Sequence, residues 1–193
     1  MMSQPDTFAA QVATLSAQLL KFDGGDRAAL RRMEPDTPAP PAYWRLVTVA
    51  GFIHWSEEKQ AVLRRVVRQM ALLVPAGETD RVTLHKTDRP LGAVLCDGGD
   101  GEWASRGGPP QPVISEDRLA RFLAMPARGR GDALDRMLRG IARRRSPALG
   151  IDCGELLMLA LRPDDTARLN NIARDYYRRL DQATRSAQQK ATA

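Results

Sequence analysis

A chain of 193 residues, 43% hydrophobic and 27% charged, is long enough to bury roughly two-thirds or more of its unfolded surface, which excludes wholesale disorder and a dependence on covalent staples. The net charge is +6, and the excess lies C-terminally: residues 113–193 carry 16 basic against 10 acidic side chains, residues 1–90 only 12 against 10. Only four of the 29 basic residues are lysines, and arginine's planar fork suits bidentate phosphate contacts, although a GC-rich genome accounts for the same bias.

From Gln4 to Lys21, Phe8, Val12, Leu15 and Leu19 recur at the spacing of an amphipathic helix, and Asp23-Gly24-Gly25 is read as its stop. Asp26 is the expected cap of a short helix ending in Arg31 and Arg32. Four prolines between Pro35 and Pro41 forbid helix, and the last suits the first turn of the helix holding Tyr43, Trp44, Arg45, Leu46 and Val47. Tyr43 and Trp44 belong either to the core or to a subunit contact, with the core favoured because buried aromatics are usually packing residues. Ser56, Glu57 and Glu58 then open a long helix to Val74. Its core face is Leu63, Val67, Met70 and Val74. Arg64, Arg68 and Arg65 fall about 100°, 140° and 200° around from Leu63, a contiguous basic flank that reads either as a phosphate-facing row or as a solvated face.

Residues 75–90 read as a polar loop and Pro90 to Leu95 as a short apolar helix. Asp97 to Pro112 holds five glycines and three prolines, too many breakers for regular structure, and marks a boundary. Its acidic run lacks the alternating oxygen ligands of a calcium loop. Ser115 caps a helix to Met125, with Leu119, Phe122 and Leu123 inward and Arg118 and Arg121 one turn apart. After a Gly-Arg loop, Leu134, Met137, Leu138 and Ile141 form the stripe of a helix from Gly131 to Arg145, with Arg136, Arg139 and Arg143 clustered about 140–200° away. Asp152 caps an apolar helix to Leu161, and a final helix runs from Asp164 to Ala187, with Leu169, Ile172, Tyr176 and Leu180 inward. No strand alternation or repeat occurs. The expected fold is all-α, a compact protein of two helical lobes, residues 1–95 and 113–193, joined by the 96–112 loop.

The chemistry-bearing motifs are missing. There is no phosphate-cradling Gly-x-x-x-x-Gly-Lys, no Gly-x-Ser-x-Gly elbow and no His-Glu-x-x-His, and His54 and His85 stand without partners in sequence. Cys96 and Cys153 are isolated, so neither a disulfide framework nor a Cys-rich metal site is expected. The residues point to no catalytic site, no metal and no cofactor. The longest apolar run, Met70 to Val74, is far short of the ~20 residues of a membrane span, and the N-terminus lacks a secretory pattern, so a cytoplasmic protein is expected.

Several motifs nonetheless recur together. Asp23-Gly24-Gly25, Arg31-Arg32, the run Pro41-Ala42-Tyr43-Trp44-Arg45-Leu46-Val47 and Trp55 resemble, in order and spacing, the N-terminal signature of the small subunit (CasB family) of the type I-E CRISPR Cascade effector complex. Leu63-Arg64, Leu91-Gly92, Glu116 with Arg118, and Arg136 have counterparts further along. The resemblance implies a non-catalytic helical subunit present in two copies, beside the backbone and large subunits, that helps hold CRISPR RNA, target DNA and the displaced strand. Together with the basic rows given by helical spacing, it makes Arg31, Arg32, Arg45, Arg64, Arg68, Arg118, Arg121, Arg136, Arg139 and Arg143 the candidate nucleic-acid contacts. The competing reading is a helical adaptor that binds only protein.

Overall fold

A computed structural model describes residues 4–34, 37–77, 79–100, 102–105 and 109–192, and among these the protein is all-α. Helix α1 is Gln4–Lys21, α2 Gly24–Arg32, α3 Pro41–Val49, α4 Glu57–Leu73, α5 Leu91–Asp97, α6 Glu116–Ala124, α7 Ala127–Ala142, α8 Cys153–Leu161 and α9 Thr166–Thr192. The apolar stripes read from the sequence face inward: Val12, Leu15 and Leu19 on α1, Leu63, Val67 and Met70 on α4, Leu134, Met137, Leu138 and Ile141 on α7, and Ile172 and Tyr176 on α9 are all buried.

Several helix ends differ from the sequence reading, among them the C-terminus of α7, which stops at Ala142 instead of Arg145. Helix α1 ends at Lys21 as read, but Asp23 rather than Asp26 caps α2, its carboxylate accepting the Asp26 N–H at 2.7 Å, so Gly24 and Gly25 also form the first turn of α2. Asp26 is thereby freed to pair with Arg45. Helix α7 begins at Ala127, one turn earlier than expected, because the Arg130 guanidinium donates to the carbonyls of Pro163 and Met125 and holds the Gly-Arg segment against α8's end. Helix α9 continues past Ala187 to Thr192. Pro41 occupies the first turn of α3 and Asp152 caps α8 by accepting from the N–H groups of Gly154 and Glu155, both as read, whereas Ser56 and Ser115 stand at the N-cap positions of α4 and α6 without a side-chain cap hydrogen bond.

Helix α4 is the axis of the fold. It packs against α2, α7 and α8, while α1 contacts α3 and α8, and α5 lies along α9. One continuous apolar core runs from Val12 to Ala183, drawing side chains from both of the expected lobes. The loop between α4 and α5 is tied to the segment before α8 by a single parallel bridge between His85 and Ile151, extended by the Thr83 N–H to the Pro147 carbonyl and the Asp152 N–H to the Arg89 carbonyl.

Helices α5 and α9 pack backbone to backbone at Gly92. A Cβ on Gly92 would lie 2.9 Å from the Tyr176 backbone nitrogen and 3.0 Å from the Asp175 Cβ, and closer still to the Ile172 carbonyl oxygen, so only glycine allows this approach. Tyr176 is buried there and donates its hydroxyl to the Ile114 carbonyl at 2.6 Å. At the C-terminal end of α5, the fully buried Asp97 carboxylate accepts from Arg89 at 3.0 and 3.1 Å, from Arg179 at 2.8 Å and from the Gly99 N–H at 2.9 Å. Helix α5 thus runs two residues into the segment read as an irregular loop from 96 to 112, and Trp103–Ser105 within that segment form a turn of 3-10 helix. Trp103 packs beside the Asp97 anchor, 5.5 Å from the Arg179 guanidinium, and its indole N–H donates to the Gln111 carbonyl.

Candidate nucleic-acid interface

The ten candidate arginines divide according to what each touches. Arg31, Arg64 and Arg68 serve the interior. The Arg31 guanidinium donates to the carbonyls of Ala71, Val74 and Pro75, satisfying the C-terminal end of α4, where orphan carbonyls attract cations. Burial and the neighbouring Arg27 charge lower its pKa. Arg68 is buried between Glu34 and Asp135; burial opposes its charge, but the two carboxylates outweigh that and raise its pKa. Arg64 is 8% exposed and pairs with Glu57 at 2.8 Å. The flank of α4 is therefore neither a phosphate row nor a solvated face: neighbours surround this helix, and its cations are neutralised within the protein.

Arg32 and Arg45 are exposed at the α2–α3 end, on helices that pack against α1, α4 and one another. Arg45 pairs with Asp26 and lies 5.7 Å from the Phe22 ring. The neighbouring aromatics split. Tyr43 is fully buried and donates to the Gln60 side chain, and burial raises its pKa, whereas Trp44 on the next position is 39% exposed.

The remaining candidates gather on α6 and α7. Arg118 and Arg121 of α6 and Arg136 of α7 line one open groove, floored by Phe122, Met125, Ala133 and Met137. The apolar stripes of the two helices meet beneath it, Leu119 and Phe122 from one, Met137 and Leu138 from the other. This contact turns the polar edges of both helices into a common rim. Among the described residues no ion pair engages Arg118, Arg121 or Arg136; the Arg121 Nε donates only to the Asp117 carbonyl of its own helix. Nearby acids are partly spoken for. Glu116 holds the Tyr177 hydroxyl of α9, raising that hydroxyl's pKa, and Asp132 is bonded to Arg65, a hydrogen bond that lowers its pKa against burial, with the charges of Arg65, Arg136 and Arg68 adding to the lowering. Arg139 and Arg143 are exposed one and two turns beyond Arg136 and extend the cationic row along α7. Arg128 and Arg144, absent from the sequence-derived set, are exposed at the two ends of the same helix.

His85, Asp152 and Cys153 also come together, although nothing in their spacing announced it. The geometry is structural: His85 Nδ1 accepts the backbone N–H of Cys153 at 3.1 Å, and the thiol lies against the Leu84 carbonyl. Cys153 is fully buried, and burial pushes its thiol up, the opposite of what a nucleophile needs. Among the described residues no group of three or more His, Cys, Asp or Glu side chains is placed to hold a metal ion, and no helix is long and apolar enough to cross a membrane. The chain matches no family model, and neither a curated protein nor a solved structure is significantly similar to it.

Proposed function

We propose that the protein is a non-catalytic, cytoplasmic subunit of an RNA-guided surveillance complex, similar in role to the Cascade small subunit, and that it contacts a nucleic-acid backbone through the α6–α7 groove. The observation that carries this reading is the convergence of Arg118, Arg121 and Arg136, from two helices, on one open groove without ion-paired partners. Phosphates supply the missing counter-charge, and Arg139 and Arg143 continue the track. In such complexes sequence is read by guide–target pairing, and forming the heteroduplex is nearly balanced in energy, so a few backbone contacts suffice to tip it. The partners of this reading are CRISPR RNA, target DNA, the backbone and large subunits and a second copy of the chain. Arg32 and Arg45 would be secondary contacts.

Replacing Arg118, Arg121 and Arg136 together by alanine should weaken single-stranded DNA binding to all sequences alike. It should also flatten the slope of log affinity against log salt by about 2, at ~0.7 per phosphate contact. An unchanged slope in a folded triple variant would remove the groove and leave the protein-only adaptor. The half-exposed Trp44 of α3 favours that second reading, because it offers a large apolar surface to a protein neighbour.

A further inference from the structure

The groove between α6 and α7 is built with more than its cations. Arg118, Arg121 and Arg136 stand at the rim, but the floor is Phe122, Met125, Ala133 and Met137, and no carboxylate, amide or hydroxyl side chain lines it. Phe122, Ala133 and Met137 are buried beneath the rim, while Met125 is half-buried and offers the floor's open surface. One end is closed: Met125 sits at the C-cap of α6, and its thioether sulfur would lie 3.1 Å from a Cβ on Gly129, so the side chain leans across the turn into α7. The cavity volume is about 250 Å³, and since a dry ~150 Å³ cavity holds benzene, a nucleobase has room.

A track for phosphates alone has no use for such a floor. A phosphate held over it gives up water and gains no partner from Met125 or Ala133, whereas the flat face of a base gains by covering them and by stacking on the guanidinium planes alongside. We propose that the groove seats one unpaired nucleobase of a single strand, flat on the methionine floor, with the flanking phosphates on Arg118, Arg121 and Arg136. The inference rests on the nucleic-acid reading of this groove and goes beyond it, because that reading asks only for backbone contacts. The lining also sets the selectivity. The only hydrogen-bonding side chains here are the arginines, which hold phosphate, and the methionine thioethers are adaptable, so every base fits alike. A base inside a duplex is stacked between its neighbours and has no free face to offer.

The test uses the full chain and two strands of equal length: a short oligothymidylate, and an abasic strand in which hydrogen replaces every base while the sugars and phosphates stay. The two should share one slope of log affinity against log salt, because their phosphates are the same. Extrapolated to molar salt, where counterion release no longer contributes, thymidylate should bind about fivefold to tenfold more tightly, the lower end of what one stacked base gives. An oligodeoxyadenylate should move the Met125 and Met137 methyl NMR signals upfield through the ring current of its base, and the abasic strand should not. Ala133→Leu, which fills the floor and keeps all three arginines, should bring thymidylate down to the abasic level at an unchanged salt slope. Equal affinity of the two strands at a shared slope would overturn the base seat and leave the backbone reading standing, whereas the absence of a salt slope with either strand would remove both. That comparison is made on the parent protein and does not depend on how the variant folds. A full preference for thymidylate in a folded Ala133→Leu protein would also overturn the seat. So would a glutamate peptide of equal charge bound as tightly as thymidylate, since it would give the groove to an acidic protein segment.

Discussion

Replacing Gly92 by alanine adds one methyl group at the point where α5 and α9 touch backbone to backbone. The new carbon would lie 2.9 Å from the Tyr176 nitrogen and 3.0 Å from the Asp175 Cβ, with the Ile172 carbonyl oxygen nearer still, and backbone cannot swing aside as a side-chain tip can. The helices must part by roughly 0.5–1 Å, which forfeits a quarter to a half of each ~0.1–0.2 kcal/mol dispersion contact across the seam. Over some 40 atom pairs among Leu91, Val94, Leu95, Ile172 and Tyr176, that loss is about 2 kcal/mol. Residual strain adds ~1 kcal/mol, and alanine's better helix propensity returns ~1 kcal/mol. The net loss of about 2 kcal/mol should lower the melting temperature by roughly 4–8 °C in a domain of this size. Gly140→Ala is the matched control. Gly140 lies inside α7, and nothing stands within 4 Å of its added Cβ, so the same chemical change should raise the melting temperature by about 2–3 °C. Differential scanning calorimetry of the two variants decides the matter. A Gly92→Ala protein as stable as the parent would refute the account of the α5–α9 seam.

Asp97→Asn should cost about 3 kcal/mol in urea denaturation, because it leaves Arg89 and Arg179 facing a neutral amide at a site where the carboxylate is fully buried. Glu155 caps the first turn of α5 by accepting the Leu91 N–H at 2.5 Å, and burial raises its carboxyl pKa above the ordinary 4.5. Between those two pKa values the folded chain keeps a proton that the unfolded chain has released, so its contribution to stability falls as pH rises through that window. Glu155→Gln should flatten that part of a stability-against-pH curve; an unaltered slope would count against the burial argument. Burial pushes the Cys96 thiol up to about 12 and raises that of Cys153, so neither should react with a thiol reagent at neutral pH until the protein unfolds. Labelling of the native protein at the rate of a free thiol would contradict this.

Periodicity alone determined the helices, because the stripe that must be buried recurs wherever a helix lies against a core. Val12, Leu15 and Leu19, or Leu134, Met137, Leu138 and Ile141, could be placed inside without knowing what they would touch. Charge was less legible, since a guanidinium has the same sequence appearance whether it faces water, phosphate or a buried carboxylate. Arg64 and Arg68 looked like a basic flank only because the position of α4 among α2, α7 and α8 was unknown. Once packed, that helix leaves only its first turn, Glu57 to Lys59, exposed, and Glu57, Glu34 and Asp135 neutralise Arg64 and Arg68. Arg118 and Arg121 could be paired by helical spacing, but 15 residues and a turn separate Arg121 from Arg136, and only the docking of α6 on α7 brings all three to one groove. The same holds for Gly92 and Asp97. One is fixed by the approach of a helix some 80 residues away in the chain, the other by the arrival of Arg179, and neither contact leaves a local pattern for periodicity to detect.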